Sequence, residues 1–176
     1  MKHLLLFVIL LGFATPAFAE ELTEESVKTL YNDMAAIYNA PKIDVPKAMS
    51  YMRKHYAPDS QYKINMSANT FPEPQTLVFG KKEMIDSSSQ TLSSLTNSQM
   101  LIDFTKTQIS EEKDKAIVTY NVRLNGQVQQ TAINNQIITV DYDAVSSCKD
   151  LLAQEQGVIM VSRSVCNMNA QYGQAH

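Results

Sequence analysis

The sequence contains no tryptophan, and it has only five glycines, three histidines and two cysteines in 176 residues. Each scarcity removes a class of function. Two cysteines cannot build a cysteine-rich metal module or a disulfide-dense miniature scaffold, and the histidines stand apart from one another and from both cysteines, so no metal site is expected. There is no glycine-rich phosphate loop, no Gly-x-Ser-x-Gly elbow and no Cys-x-x-Cys pair, so no cofactor signature is present. A basic excess is missing as well. Lys and Arg number 15 against 18 Asp and Glu, a net charge of −3. A mildly acidic chain without a basic run is a poor partner for nucleic acid or for an anionic membrane surface.

Long hydrophobic runs are missing everywhere but the start. Met1-Lys2-His3 is a short basic region, Leu4 to Ala14 is apolar, and Ala17-Phe18-Ala19 is a small-x-small cleavage site before Glu20-Glu21. This is the pattern of a secretory signal peptide spanning 1–19, cleaved after Ala19. Its apolar part is shorter than the roughly 20 residues of a spanning helix, so the mature chain is expected to have no membrane span. The expected address is periplasmic or secreted. Residues 20–170 are the size of one domain, and 171–176 read as a flexible tail. An oxidising compartment favours a bond between the two cysteines.

Helix signals come first. Thr23 is a good N-cap, Glu24 and Glu25 suit the positive end of a helix dipole, and Leu22 and Val27 stand at staple positions. Val27, Leu30, Tyr31, Met34, Ile37 and Tyr38 then form an apolar stripe over Leu22–Tyr38. Asp44 caps a second helix with Pro46 in its first turn and the stripe Val45, Ala48, Met49, Met52 and Tyr56; Ala57-Pro58-Asp59 ends it. His55 reads as a solvated residue on a charged helix end. A third helix spans Lys81 to Leu95, although Ser87-Ser88-Ser89 is poor helix material.

Strand signals dominate the rest. Tyr62, Ile64 and Met66 alternate with polar residues, Asn69 to Gln75 is a proline-bearing loop, and Thr76 to Phe79 is a short strand. Met100 to Ile109, Ala116 to Leu124, Gln136 to Val145 and Gly157 to Cys166 are further strands. Asn125-Gly126 predicts a tight turn, and Gln127 to Gln136 a polar hairpin tip. A hairpin turning near Gly157 places Cys148 opposite Cys166, provided no bulge intervenes, and so predicts a disulfide. Helices early and strands late predict an α+β fold: a curved antiparallel sheet wrapped around the N-terminal helices.

That order, with Tyr56-Ala57-Pro58-Asp59-Ser60-Gln61-Tyr62 and Gly80-Lys81-Lys82-Glu83-Met84-Ile85, resembles the NTF2-like superfamily, which includes SnoaL-like cyclases and ketosteroid isomerases. The resemblance implies a cone-shaped cavity. In isomerase-like members a carboxylate base follows the Ala-x-Asp element; laid on Ala57-Pro58-Asp59 it falls at about Ile64, which cannot take a proton. The His–Asp pair of dehydratase-like members has no counterpart, and Asp103 and Asp141 have the parity that faces away, so no catalytic residue is assigned. Tyr62, Phe104, Tyr120 and Tyr142 share the apolar parity of their strands. They read either as the lining of a pocket for a small apolar ligand or as ordinary core. Two functions follow as expectations. One is an exported, non-catalytic binding or assembly module of the cell envelope, with a homodimer through the sheet or an envelope protein as partner. The other is a SnoaL-like isomerase, cyclase or dehydratase acting on a small apolar substrate.

Overall fold

A computed structural model describes residues 21–131 and 136–175. Helix α1 spans Glu24–Tyr38. The Thr23 hydroxyl accepts from the Ser26 N–H at 3.1 Å and the Ser26 hydroxyl accepts from the Thr23 N–H at 2.9 Å, a reciprocal capping box. Leu22 and Val27, the staple pair, are fully buried. Helix α2 spans Val45–His55, capped by the Asp44 carboxylate on the Lys47 N–H at 3.0 Å. It stops sooner than the stripe predicts, and strand β1 (Tyr56–Ala68) begins at once. Pro58 disfavours helical backbone at Ala57 and brings no N–H, so the chain becomes extended there. Helix α3 (Lys81–Ser94) copes with its serines by back-bonding. Thr91, Ser93 and Ser94 donate to the carbonyls of Ser87, Ser89 and Thr91, while Ser88 is buried.

The other strands are β2 (Gln75–Gly80), β3 (Leu95–Ile109), β4 (Lys115–Thr131), β5 (Ile137–Glu155) and β6 (Val158–Ala175), in the order β2-β1-β6-β5-β4-β3. The fold is α+β as expected, with helices α1, α2 and α3 packed on the sheet. The sheet is mixed where a wholly antiparallel one was expected. Strand β6 takes its direction from its hairpin with β5 and enters beside β1 in the same sense, so β1 and β6 are parallel.

Three local expectations change. Asn125-Gly126 is not a turn: β4 runs through it to Thr131. Gly126 is needed because β3 shifts register there and comes close. A Cβ at 126 would lie 3.1 Å from both Ser98 Cα and the Thr96 carbonyl oxygen. The polar segment beyond pairs with β5, so Gln127–Thr131 is strand, and residues 132–135 of the expected tip lie outside the described residues. Residues 171–175 are not a free tail but the end of β6, paired with Asp143, Tyr142 and Val140. Asn69 holds them there: its side-chain amide donates to the Tyr172 carbonyl at 2.7 Å and its oxygen accepts from the Tyr172 N–H at 2.9 Å. The expected signal segment 1–19 and His176 lie outside the described residues.

The β5–β6 hairpin turns on Gln156 (φ 50°) and Gly157 (φ 78°), two positive angles that fit a two-residue turn matching the strand twist. Near the turn Leu152 faces Val161, but one residue further on Leu151 faces Arg163, leaving Ser162 without a partner across the strand pair. This bulge switches the inward parity of β6 from Ile159 and Val161 to Ser164, Cys166, Met168 and Ala170. Beyond it Cys148 faces Cys166, and the two form a disulfide with Cα atoms 4.1 Å apart. The expected pairing holds, though the no-bulge condition attached to it does not. The turn is centred half a residue before Gly157, and the bulge restores the offset. No helix among the described residues is long and apolar enough to cross a membrane.

Candidate functional site

Strand register builds one wall of a cavity in rows that cross the sheet. Val118, Asp150, Ser164 and Tyr62 form one row. Phe104, Tyr120, Cys148, Cys166 and Ile64 form the next, and Val122, Ser146, Met168 and Met66 the one after. The helices close the other side with Tyr31, Met34, Met52, Met84 and Ser88. The space between them is about 190 Å³ and is partly open to solvent. Six tyrosines border it: Tyr31, Tyr38, Tyr56, Tyr62, Tyr120 and Tyr142.

Of the residues singled out in the sequence, Tyr62, Tyr120 and Tyr142 border this space, and so do both cysteines. Phe104 does not; it stands behind, with its ring edge-on to Tyr31 at 5.7 Å between centroids. Asp103 and Asp141 are exposed, facing away as expected. His55 is not solvated. It is buried at the end of α2, stacked on Tyr51 at 4.5 Å, with Nδ1 2.8 Å from the Ile159 carbonyl oxygen. A carbonyl only accepts, so Nδ1 carries a hydrogen and the ring ties α2 to β6.

The decisive group is one that sequence reasoning missed. Asp150, which the sequence reading did not consider, is 3 % exposed and borders the cavity. Its Oδ2 accepts from the Tyr31 hydroxyl at 2.7 Å and from the Tyr120 hydroxyl at 2.8 Å. Its Oδ1 meets no donor in good hydrogen-bond geometry, although the Ser164 hydroxyl comes near enough to help hold the ionised form. Ser164 lies directly across the strand pair, but its hydroxyl is 3.7 Å from Cys166 Sγ. Burial pushes the Asp150 carboxyl above its ordinary range; the hydroxyls of Ser164, Tyr31 and Tyr120 oppose the rise. Burial, and after it the neighbouring Asp150, push the Tyr31 and Tyr120 phenols well up, so both remain hydrogen donors. Burial lifts Tyr38 and Tyr142 to about 12. A signal for Asp150 exists in the sequence. The period of two that carries Ile138, Val140, Tyr142 and Ala144 continues through Ser146, Cys148 and Asp150, beyond Val145, where the sequence reading ends the strand.

The architecture has counterparts among solved structures. A domain from Nostoc punctiforme, described as having a cystatin-like fold, is 9% identical with a TM-score of 0.53, over 82% of this chain and 75% of that one. A conserved protein from Planctomyces limnophilus is 12% identical with a TM-score of 0.52, over 82% and 94%. Aln2 from a Streptomyces species is 10% identical with a TM-score of 0.52, over 82% and 91%. Three helices on an open, curved six-stranded sheet are consistent with the NTF2-like cone expected from the sequence. No protein-family model and no curated protein matches the sequence. At these identities the likeness concerns the fold alone, and the site must be argued from its own residues. In this NTF2-like cone Ile64, at the place where the resemblance puts a base, is part of the cavity wall. Asp150 is the one lining residue among those described that carries a formal charge.

Proposed function

We propose that the mature chain is an exported, non-catalytic binding module that holds a small apolar ligand in the NTF2-like cavity. The partly open space of about 190 Å³ lined by tyrosines and methionines carries this reading. Tyr62, Tyr120 and Tyr142 are its contacts from the sheet, and Phe104 supports Tyr31 and Tyr120 from behind. An alkyl side chain at 64 puts no base where the resemblance expects one, and the Asp150 carboxylate is engaged through Oδ2 by two phenols. The Cys148–Cys166 bond and the lack of a membrane-crossing helix among the described residues are compatible with export, here to the periplasm.

Calorimetry with a neutral arylalkane such as propylbenzene tests the binding reading. The wild type is expected to bind it, and Ala144→Phe, which fills the space between Tyr142 and Ser146, is expected to abolish binding while the melting temperature holds. No binding by the wild type, or binding indifferent to Ala144→Phe, refutes the reading. Turnover of ketosteroids or enoyl esters that is lost in Asp150→Asn would replace it with the SnoaL-like enzyme. Assembly through the outer sheet face is favoured by exposed Leu101, Val145 and Val165. Sedimentation of wild type against Val145→Glu tests it, a dimer lost in the variant supporting the reading and a wild-type monomer excluding it.

A further inference from the structure

The polar groups of the cavity wall are hydroxyls of serine and tyrosine except at one place, Asp150, and that place is incompletely satisfied. Asp150 Oδ2 has two donors, whereas Oδ1, on a residue 3 % exposed, has no well-aligned one, the Ser164 hydroxyl being its nearest polar neighbour across the strand pair. A buried carboxylate oxygen without a donor is costly, and native interiors seldom tolerate one that serves no purpose. The lining residues include no lysine, arginine or histidine, so no cation within the wall balances the carboxylate. Both phenols donate to the same oxygen, which leaves Oδ1 as the position open to a partner. Aromatic rings gather round this point. Tyr31 and Tyr120 touch the carboxylate, and Tyr56 and Tyr62 lie close enough to feel its charge.

We infer that the ligand is an apolar amine, its ammonium group hydrogen-bonded to Asp150 Oδ1 and its hydrocarbon body lying among the tyrosine and methionine side chains. This rests on the binding reading above and deepens it. An ammonium supplies an aligned donor and the missing countercharge together. An alcohol supplies a donor without the charge. A ketone supplies neither and would require Asp150 to hold a proton on Oδ1. The size is set by the cavity. A dry cavity of about 150 Å³ accepts benzene, so the somewhat larger space here admits an aryl ring with a short aminoalkyl arm.

The test is calorimetric titration of the mature protein, disulfide intact, with four probes of matched shape: phenethylamine, phenethyl alcohol, phenylacetone and propylbenzene. Phenethylamine is expected to bind tighter than propylbenzene by about tenfold to a hundredfold, the range of a hydrogen bond to a charged group. Asp150→Asn is expected to erase that preference and keep propylbenzene binding. If the variant does not fold, the ranking of the four probes on the wild type decides by itself. Alcohol or ketone binding as tightly as the amine, or an amine preference that survives in a folded Asp150→Asn, overturns the inference and leaves the apolar cavity standing. Binding by none of the four overturns both.

Discussion

Asparagine at position 150 preserves the shape of the side chain and an acceptor for Tyr31 and Tyr120, and removes the titration. The Asp150 carboxyl is raised above its ordinary 3.8 by burial, so the folded chain holds that proton more tightly than the unfolded chain. The sign of the linkage follows. The stability contributed by the protonated carboxyl is complete below about pH 3.8, where both states are protonated, and is lost as pH rises through the folded value. Across that window wild type should lose about 1.4 kcal/mol relative to Asp150→Asn for each pH unit, and above it the difference should level off. Urea denaturation of both proteins from about pH 4 to about pH 8 measures the difference directly, and the other carboxylates cancel in the subtraction. A second layer comes from Tyr120→Phe. Removing the 2.8 Å bond to the ionised group should cost about 1.5–3 kcal/mol in the wild type and about 0.5–1.5 kcal/mol in the Asp150→Asn background. A flat difference curve would refute the claim that burial governs this carboxyl, and a curve that rises with pH would mean that hydrogen bonding outweighs desolvation.

Reduction of the Cys148–Cys166 bond, which spans 18 residues, should lower stability by roughly 3 kcal/mol on the chain-entropy account, and an unchanged melting temperature in reductant would show that the sheet alone fixes this register. Asn69→Ala removes two hydrogen bonds to the Tyr172 backbone and should cost about 1–2 kcal/mol, with faster amide exchange confined to residues 171–175; exchange unchanged there would mean that pairing with β5 suffices. Mass spectrometry of protein recovered from the cell envelope should give a chain that begins at Glu20, and an intact Met1 would contradict export by cleavage.

Element order was legible in the sequence because the two periodicities are clean: the Val27–Tyr38 stripe on α1 and the alternation from Ala116 to Leu124 on β4. What eluded it was the length of the strands and the relation between distant ones. Asn125-Gly126 carries a turn signature, yet the glycine answers to a neighbour, β3, that local sequence does not reveal. The parallel pairing of β1 with β6 joins residues about a hundred positions apart, and nothing within either strand encodes it. Asp150 was overlooked for a different reason. Its parity was readable, but a charged residue after a polar stretch signals a strand end when read locally, and only two tyrosines contributed by α1 and β4 make its burial tolerable. His55 was misjudged likewise, because the Ile159 carbonyl that receives its hydrogen comes from the far end of the chain.

The place of β6 in the sheet bears on how the molecule comes together. The 18 residues from Val158 to Ala175 lie between β1 and β5. Without them the sheet is two unjoined fragments, the β1–β2 hairpin and the β3–β4–β5 meander, and Cys148 has no thiol to meet. Its high sequence separation from β1 gives this pairing the largest loop-closure cost in the sheet. A chain still emerging from a ribosome or threading a translocation channel, with β6 not yet available, has no closed cavity and no cross-strand bond. The binding site and its covalent staple both come into being with the same strand.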